Sequence, residues 1–282
     1  MRLSRLRTLL QASSAVFSNG YAGSLVTRYV NTNQLKGVCV PYLNCYACPS
    51  SLYSCPIGTL QHFMAIRTVP VMLLGMLGLV GLTTGRMACG WACPFGFFQE
   101  LLHRIPTRKY SVPKAVRHLK WFVLAFLVLL APMITGDTWF CKICPAGSLL
   151  AGLPWVAWNP ANPVTGSPVL QVQPDFQFLA VMALLMAFLI WFVFSKRPFC
   201  KTLCPLGAIL ALFNGVSMVR LEVASSCDSC ATCNSVCPMD LDVTKELNSV
   251  ECIRCLECTK CGHVRIVPPF KDKVGSHVEA DF

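Results

Sequence analysis

Residues 68–96 read TVPVMLLGMLGLVGLTTGRMACGWACPFG. An uncharged stretch, 68–85, stops at Arg86 and runs into Cys89-x3-Cys93-Pro94-Phe95-Gly96. The same succession returns later, where uncharged 176–195 is followed by Lys196, Arg197 and Cys200-x3-Cys204-Pro205-Leu206-Gly207. Apolar stretches of this length can cross a hydrocarbon core of about 30 Å as helices. Two of them, each delivering a pair of thiols to its end, predict an α-helical integral membrane protein with pseudo-repeated halves.

Composition agrees. The 282 residues are 54% hydrophobic and 13% charged, with a mean hydropathy of +0.55, too apolar for an ordinary soluble domain. A third uncharged stretch covers 121–136, and a weaker one, rich in Ser, Gly and Ala, covers 8–27 as a span or an interfacial helix. The net charge of +11 is uneven: before residue 220, seventeen basic residues face three acidic ones. Ten of the seventeen fall in two places, Arg86 to Lys120 and Lys196 to Lys201, whereas the loop between the second and third strong spans holds Lys142 alone. By the positive-inside rule the two basic loops are cytoplasmic and the Lys142 loop is external. Charges that hug membrane ends argue against nucleic acid as a partner. Arg2, Arg5 and Arg7 precede a poor signal-peptide core with no clear cleavage site, which favours an uncleaved first span. The expectation is about four spans with both termini in the cytoplasm.

Eighteen cysteines divide into two sets. Eight near the C-terminus follow ferredoxin spacing. Cys227-x2-Cys230-x2-Cys233-x3-Cys237-Pro238 is the bacterial ferredoxin run, and Cys252-x2-Cys255-x2-Cys258 repeats its first three ligands before Cys261. Three close thiolates converge on one cubane and the fourth comes from the other run. Cys227, Cys230, Cys233 and Cys261 are therefore expected to hold one [4Fe–4S] cluster, and Cys252, Cys255, Cys258 and Cys237 the other. Zinc is the competing ligand for any CxxC pair. These residues define an expected cytoplasmic, ferredoxin-like α+β domain over 220–282, behind a membrane domain over 1–219.

The remaining ten cysteines carry a motif that recurs four times: Cys55-Pro56-Ile57-Gly58, Cys93-Pro94-Phe95-Gly96, Cys144-Pro145-Ala146-Gly147 and Cys204-Pro205-Leu206-Gly207. Proline is favoured at the first helical position, so each cysteine is expected at a helix start, where free N–H groups and the positive dipole end favour an anionic cluster. On the inner side Cys89, Cys93, Cys200 and Cys204 supply four thiolates for a third cluster; structural burial is the alternative. On the outer side Cys45, Cys48, Cys55, Cys141 and Cys144 offer four of five ligands for a fourth cluster, with Cys39 as a spare. Disulfides in an oxidising compartment are the alternative there. Four clusters would use sixteen thiolates and leave two.

The uncharged run 205–219 is short for a span and is expected at the membrane surface, and the Pro- and Gly-rich 143–174 is expected as an external cap. No CxxCH occurs, so covalent haem is not expected, and all five histidines lie outside the strong spans. His62 and His103 follow CPxG motifs, where a quinone headgroup or plain solvation are the two readings.

Paired Cys-x3-Cys-Pro motifs after spans, followed by a two-cluster ferredoxin run, resemble the NapH-type membrane polyferredoxins over roughly 68–261. The matching residues are Cys89, Cys93, Cys200, Cys204 and the ferredoxin cysteines. The resemblance implies an electron-transfer subunit of a bacterial or archaeal membrane complex, working with other redox subunits and quinol. It also implies a part of an oxidoreductase rather than a stand-alone catalyst, and no catalytic residue is expected in this chain. A redox sensor or maturation protein without sustained turnover is the alternative. The outer cysteines depart from the family pattern, and no ligand is carried over to them.

Overall fold

The computed structural model describes residues 2–27, 30–158, 176–227 and 230–267. The described residues are mostly helical, with one two-stranded sheet. The first helix, α1 (Arg2–Ser18), begins where Arg7 pairs with Glu100 at 2.8 Å and Glu257 at 3.4 Å. It ends where the Ser18 carbonyl accepts from Leu52 N at 2.8 Å and the Ser18 hydroxyl meets the Tyr42 hydroxyl at 2.6 Å. Seventeen residues at about 1.5 Å each make it ~25 Å long. The 8–27 stretch is thus not one helix, since Gly23–Thr27 forms a separate short one.

Next come α2 (Pro56–Ala65), α3 (Val71–Thr84) and α4 (Pro94–His103). The long α5 (Lys114–Thr135) opens as a 3₁₀ turn and winds as a π-helix over Val123–Leu130. It is followed by α6 (Phe176–Phe194) and α7 (Pro205–Leu212). Among the described residues α5 and α6 are long and apolar enough to cross a membrane, and α3 is a shorter apolar helix. Of the four expected spans, two therefore meet the length criterion. The external-cap stretch is helical from 145 to 158, and its remaining part, from 159, lies outside the described residues.

The core sits where the two inner repeats meet. Phe95 of α4 packs edge-on against Phe192 of α6 at 5.7 Å and against Phe199 at 5.4 Å, a geometry that aromatic quadrupoles favour. Helix α7 packs into the protein, with Leu206, Ala208, Leu210 and Ala211 all buried and Leu212 exposed at its end. The chain leaves this helix after Leu212, so 205–219 does not cross the molecule as a span.

Beyond it, β1 (Arg220–Val223) pairs antiparallel with β2 (Val264–Val267), with Leu221 opposite Ile266. A small second core forms beneath this ribbon from Leu221, Cys233, Val243, Leu256, Cys258 and Val264. The main core does not stop at residue 219, because Met239, Leu241, Ile253 and Cys255 belong to it. Arg254 locks the junction: fully buried, it donates to the carbonyls of Thr84 at 3.1 Å and Asn214 at 2.7 Å and to the Ser217 hydroxyl. Gly85 makes this possible. Its φ is +59° and a Cβ there would lie 2.5 Å from the Arg254 guanidinium.

Candidate iron–sulfur sites

All four CPxG copies fold alike. Each cysteine is a helix N-cap with extended backbone, and the proline is the first helical residue. The glycine N–H then turns back to the sulfur: Gly96 N donates to Cys93 Sγ at 3.4 Å and Gly207 N to Cys204 Sγ at 3.3 Å. At Cys55 and Cys144 the backbone takes the same course, but the cap is looser and no Gly N–H to sulfur hydrogen bond closes it. The motif is a thiolate cap, in which sulfur takes the place usually filled by Ser or Asp oxygen.

The inner four thiols, Cys89, Cys93, Cys200 and Cys204, are buried together. Burial pushes Cys93 up to about 12, helped by neighbouring Cys200 and Cys89, and raises Cys89 and Cys204 for the same two reasons. Two arginines, both fully buried, close the group. Arg197 pairs with Glu100 at 2.8 Å and donates to the Cys89 carbonyl at 2.7 Å. Arg86 donates to the Val250 carbonyl at 2.6 Å and lies 3.5 Å from Glu251. Each arginine covers the CPxG glycine of the opposite half. A Cβ on Gly96 would sit 3.0 Å from the Arg197 guanidinium, and one on Gly207 would sit 3.1 Å from Arg86. In the sequence both arginines read only as charges at the ends of apolar stretches. Their signal was in the repeat, which extends to Arg-x2-Cys-x3-Cys-Pro-x-Gly in both copies.

The outer set resolves into four. Cys45, Cys55, Cys141 and Cys144 line one void with Leu43, Tyr46 and Phe140. Burial raises all four, Cys141 and Cys144 to about 12, with Cys55 adding to the rise of both. Cys48 is not among them. Its sulfur meets the Ser50 hydroxyl at 3.4 Å, and its carbonyl accepts from Lys36 at 3.3 Å. Cys39 meets Thr59 at 3.3 Å and lines a neighbouring apolar cavity. No disulfide joins these outer cysteines.

In the C-terminal region Cys237, Cys252, Cys255 and Cys258 line a second void, walled by Met239, Leu241 and Ile253. Burial raises Cys255 and Cys258 to about 12. Cys233 is raised by burial, then by Cys261 and Cys227 beside it; Cys230 is exposed next to Thr232. This region docks on the inner group, where Trp91 Nε1 donates to the Arg254 carbonyl at 3.0 Å.

Two glutamines that read in the sequence as plain polar residues also reach sulfurs of the inner and outer groups. Gln61 and Gln99 each stand six residues after a CPxG cysteine and donate to a sulfur at 3.2 Å, Gln61 to Cys141 and Gln99 to Cys200.

The donor set fits a thiolate-held cluster. The outer and the C-terminal thiols surround voids, and beside the inner thiols Arg86 Nε and Arg197 Nη2 are buried and lack a protein acceptor. Such orphan donors suit the net negative charge of a four-thiolate cluster.

Helices that cap thiols in fours, beside a ferredoxin cysteine run, define a ferredoxin-type iron–sulfur protein. The family model described as a 4Fe-4S binding domain matches residues 53–67, 68–113, 118–159 and 177–221, one CPxG copy in each segment. The chain belongs to this family, whose members are ferredoxin-type electron-transfer proteins. An uncharacterised protein of Methanocaldococcus jannaschii is 28% identical over 217 residues, 73% of this chain and 81% of the relative. The methylamine utilization ferredoxin-type protein MauN of Paracoccus denitrificans is 28% identical over 60% of this chain and 53% of its own length. The ferredoxin-type protein NapH of Haemophilus influenzae is 27% identical over 54% of this chain and 47% of its own length. The chain thus matches about half of MauN and NapH. No solved structure matches.

Proposed function

We propose that the chain is a membrane-embedded electron-transfer subunit linking a cytoplasmic redox partner to membrane quinone or to an external partner. In this reading Cys227, Cys230, Cys233 and Cys261 hold one [4Fe–4S] cluster, and Cys237, Cys252, Cys255 and Cys258 a second. Cys89, Cys93, Cys200 and Cys204 hold a third, and Cys45, Cys55, Cys141 and Cys144 a fourth. Residues 220–282 serve as the electron port and 1–219 as the membrane unit. One-electron transfer is the chemistry that bound [4Fe–4S] clusters supply.

The observation that carries the proposal is the docking of one cysteine loop on another. Ile253 and Cys255 share the main core with Cys89 and Cys93, and a Cβ on Gly90 would lie 2.5 Å from the Ile253 carbonyl. The chain thereby brings two thiol groups into direct succession, which a structural anchor does not need.

A membrane setting is supported by the sides of the bundle. Phe17 of α1, Met72 and Leu79 of α3, Ile134 of α5 and Met186 of α6 are exposed large apolar residues. Apolar surface spread over four helices is costly in water and natural in lipid. The quinone branch draws on a cavity of about 210 Å³ between α2, α3 and residues 37–39. Cys39 and Thr59 give it a polar end, and Phe63, Leu73 and Met76 give it an apolar body, the lining an amphipathic ring takes.

The test is anaerobic purification of the chain in detergent, with iron counting, EPR and stopped-flow reduction by a ferredoxin-level donor. Reduction of the port followed by reduction of the Cys89 group, and reoxidation by a quinone analogue, is the expected result. Clusters that reduce once and do not reoxidise in turnover would favour a redox sensor instead.

A further inference from the structure

We infer that Gln61 and Gln99 are paired tuning residues, each donating an amide N–H to a thiolate ligand from the opposite half and raising the reduction potential of the cluster held there. The inference rests on the cluster reading above, and concerns the outer group for Gln61 and the inner group for Gln99.

The two sites are copies of one arrangement. Both glutamines are fully buried. Both stand six residues after a CPxG cysteine, Cys55 or Cys93, on the helix that the cysteine caps. Both place Nε2 at 3.2 Å from the first cysteine of the facing motif, Cys141 or Cys200. Both also turn Nε2 toward the carbonyl four residues back, Ile57 or Phe95, at 3.4 Å. The other two CPxG copies have Leu150 and Leu210 at the corresponding place. Each thiol group therefore receives one glutamine and no more from this position.

The orientation of the amide follows from its partners. At the outer site Phe140 N donates to Gln61 Oε1 at 3.0 Å, so the NH₂ end must face Cys141. At the inner site a flipped Gln99 would point its oxygen at the Phe95 carbonyl, oxygen against oxygen. Burying an amide costs free energy unless its donors find acceptors. A cluster-bound thiolate is an acceptor with no proton of its own, and it satisfies that need better than a thiol.

The electronic consequence has a definite sign. A cluster bound there would go from the 2+ to the 1+ level on taking one electron from a ferredoxin-level donor, and added negative charge would spread onto the ligand sulfurs. An N–H pointed at sulfur stabilises the reduced form more than the oxidised one, and the potential rises. Removing the donor lowers it.

The experiment is a redox titration by EPR on the full chain in detergent, comparing wild type with Gln61→Leu, Gln99→Leu and the same-shaped Gln61→Glu and Gln99→Glu. Signals are assigned to the outer and inner groups by Cys141→Ser and Cys200→Ser. With iron per chain unchanged, Gln99→Leu is expected to shift the inner signal negative by about tenfold in the oxidised-to-reduced ratio, ~59 mV for one electron, leaving the outer signal in place. Gln61→Leu does the converse, and each Glu variant shifts its own signal in the same direction. Where a Leu variant loses iron, its Glu counterpart decides. Signals that stay in place, or that move together in either variant, overturn the inference while leaving the cluster reading intact. A wild-type protein lacking both assigned signals overturns the cluster reading and the inference with it.

Discussion

The indole N–H of Trp91 reaches the main-chain carbonyl of Arg254 across 3.0 Å, and so ties the segment between Cys89 and Cys93 to the loop between Cys252 and Cys255. Beside it Gly90 leaves no room for a side chain against Ile253. If this contact is the electron junction, Trp91→Phe should remove one hydrogen bond, about 1 kcal/mol. It should slow reduction of the inner group more than that of the C-terminal groups. Gly90→Ala should go further by displacing the loop. Stopped-flow traces at equal iron content read both; unchanged inner-group kinetics in Gly90→Ala would count against the junction.

Cys48 and Cys45 lie in one Cys-x2-Cys pair, yet only Cys45 lines the outer void. Cys45→Ser or Cys141→Ser should therefore lower iron by about one cluster per chain, while Cys48→Ser and Cys39→Ser keep it. Iron and acid-labile sulfide assays decide this, and a loss in Cys48→Ser equal to that in Cys45→Ser would reassign the ligand.

Arg197 sits against Glu100 with none of its own surface exposed. Arg197→Met leaves Glu100 to Arg7 alone. Breaking a buried pair costs on the order of 3–5 kcal/mol, and the remaining Arg7 contact places this case near the low end. Thermal unfolding of the detergent-solubilised protein should show that loss. The inner signal should also move to lower potential, because a positive charge beside the thiolates has gone. Arg197→Lys keeps the charge and should move the signal less.

Met186 lies on the exposed face of α6 and Val250 on the exposed surface of the C-terminal region. An arginine at 186 should cost roughly 2.5–3.5 kcal/mol if that face meets lipid, and lower the carbonate-resistant fraction of the protein. An arginine at 250 should leave that fraction unchanged. Equal behaviour of the two variants would argue against α6 as a span.

The cysteine spacing made the capped motifs legible, because Cys at the cap, Pro at the first helical position and Gly two places on are local facts. The long apolar runs made α5 and α6 legible for the same reason. What stayed hidden depends on contacts between distant parts of the chain. Arg86 meeting Gly207, and Arg197 meeting Gly96, join residues about a hundred positions apart. Gln61 and Gln99 read as polar residues on apolar helices until the facing sulfur is in view. Cys48 differs from Cys45 only in how the 39–55 loop turns. Helix α7 is apolar without a clear period, so its sequence does not show which of its faces packs into the core.

The alternation of the four CPxG copies has a consequence for biosynthesis. The outer thiols come from 45–55 and 141–144, the inner ones from 89–93 and 200–204. A nascent chain that has reached residue 130 owns half of each set and a complete version of neither. The outer set closes only with Cys144, the inner set with Cys204 and the C-terminal pair with Cys261. On the proposed assignment of ligands, iron loading waits for the second half of the polypeptide, and a chain truncated between the halves is expected to leave the ribosome as an iron-free fragment.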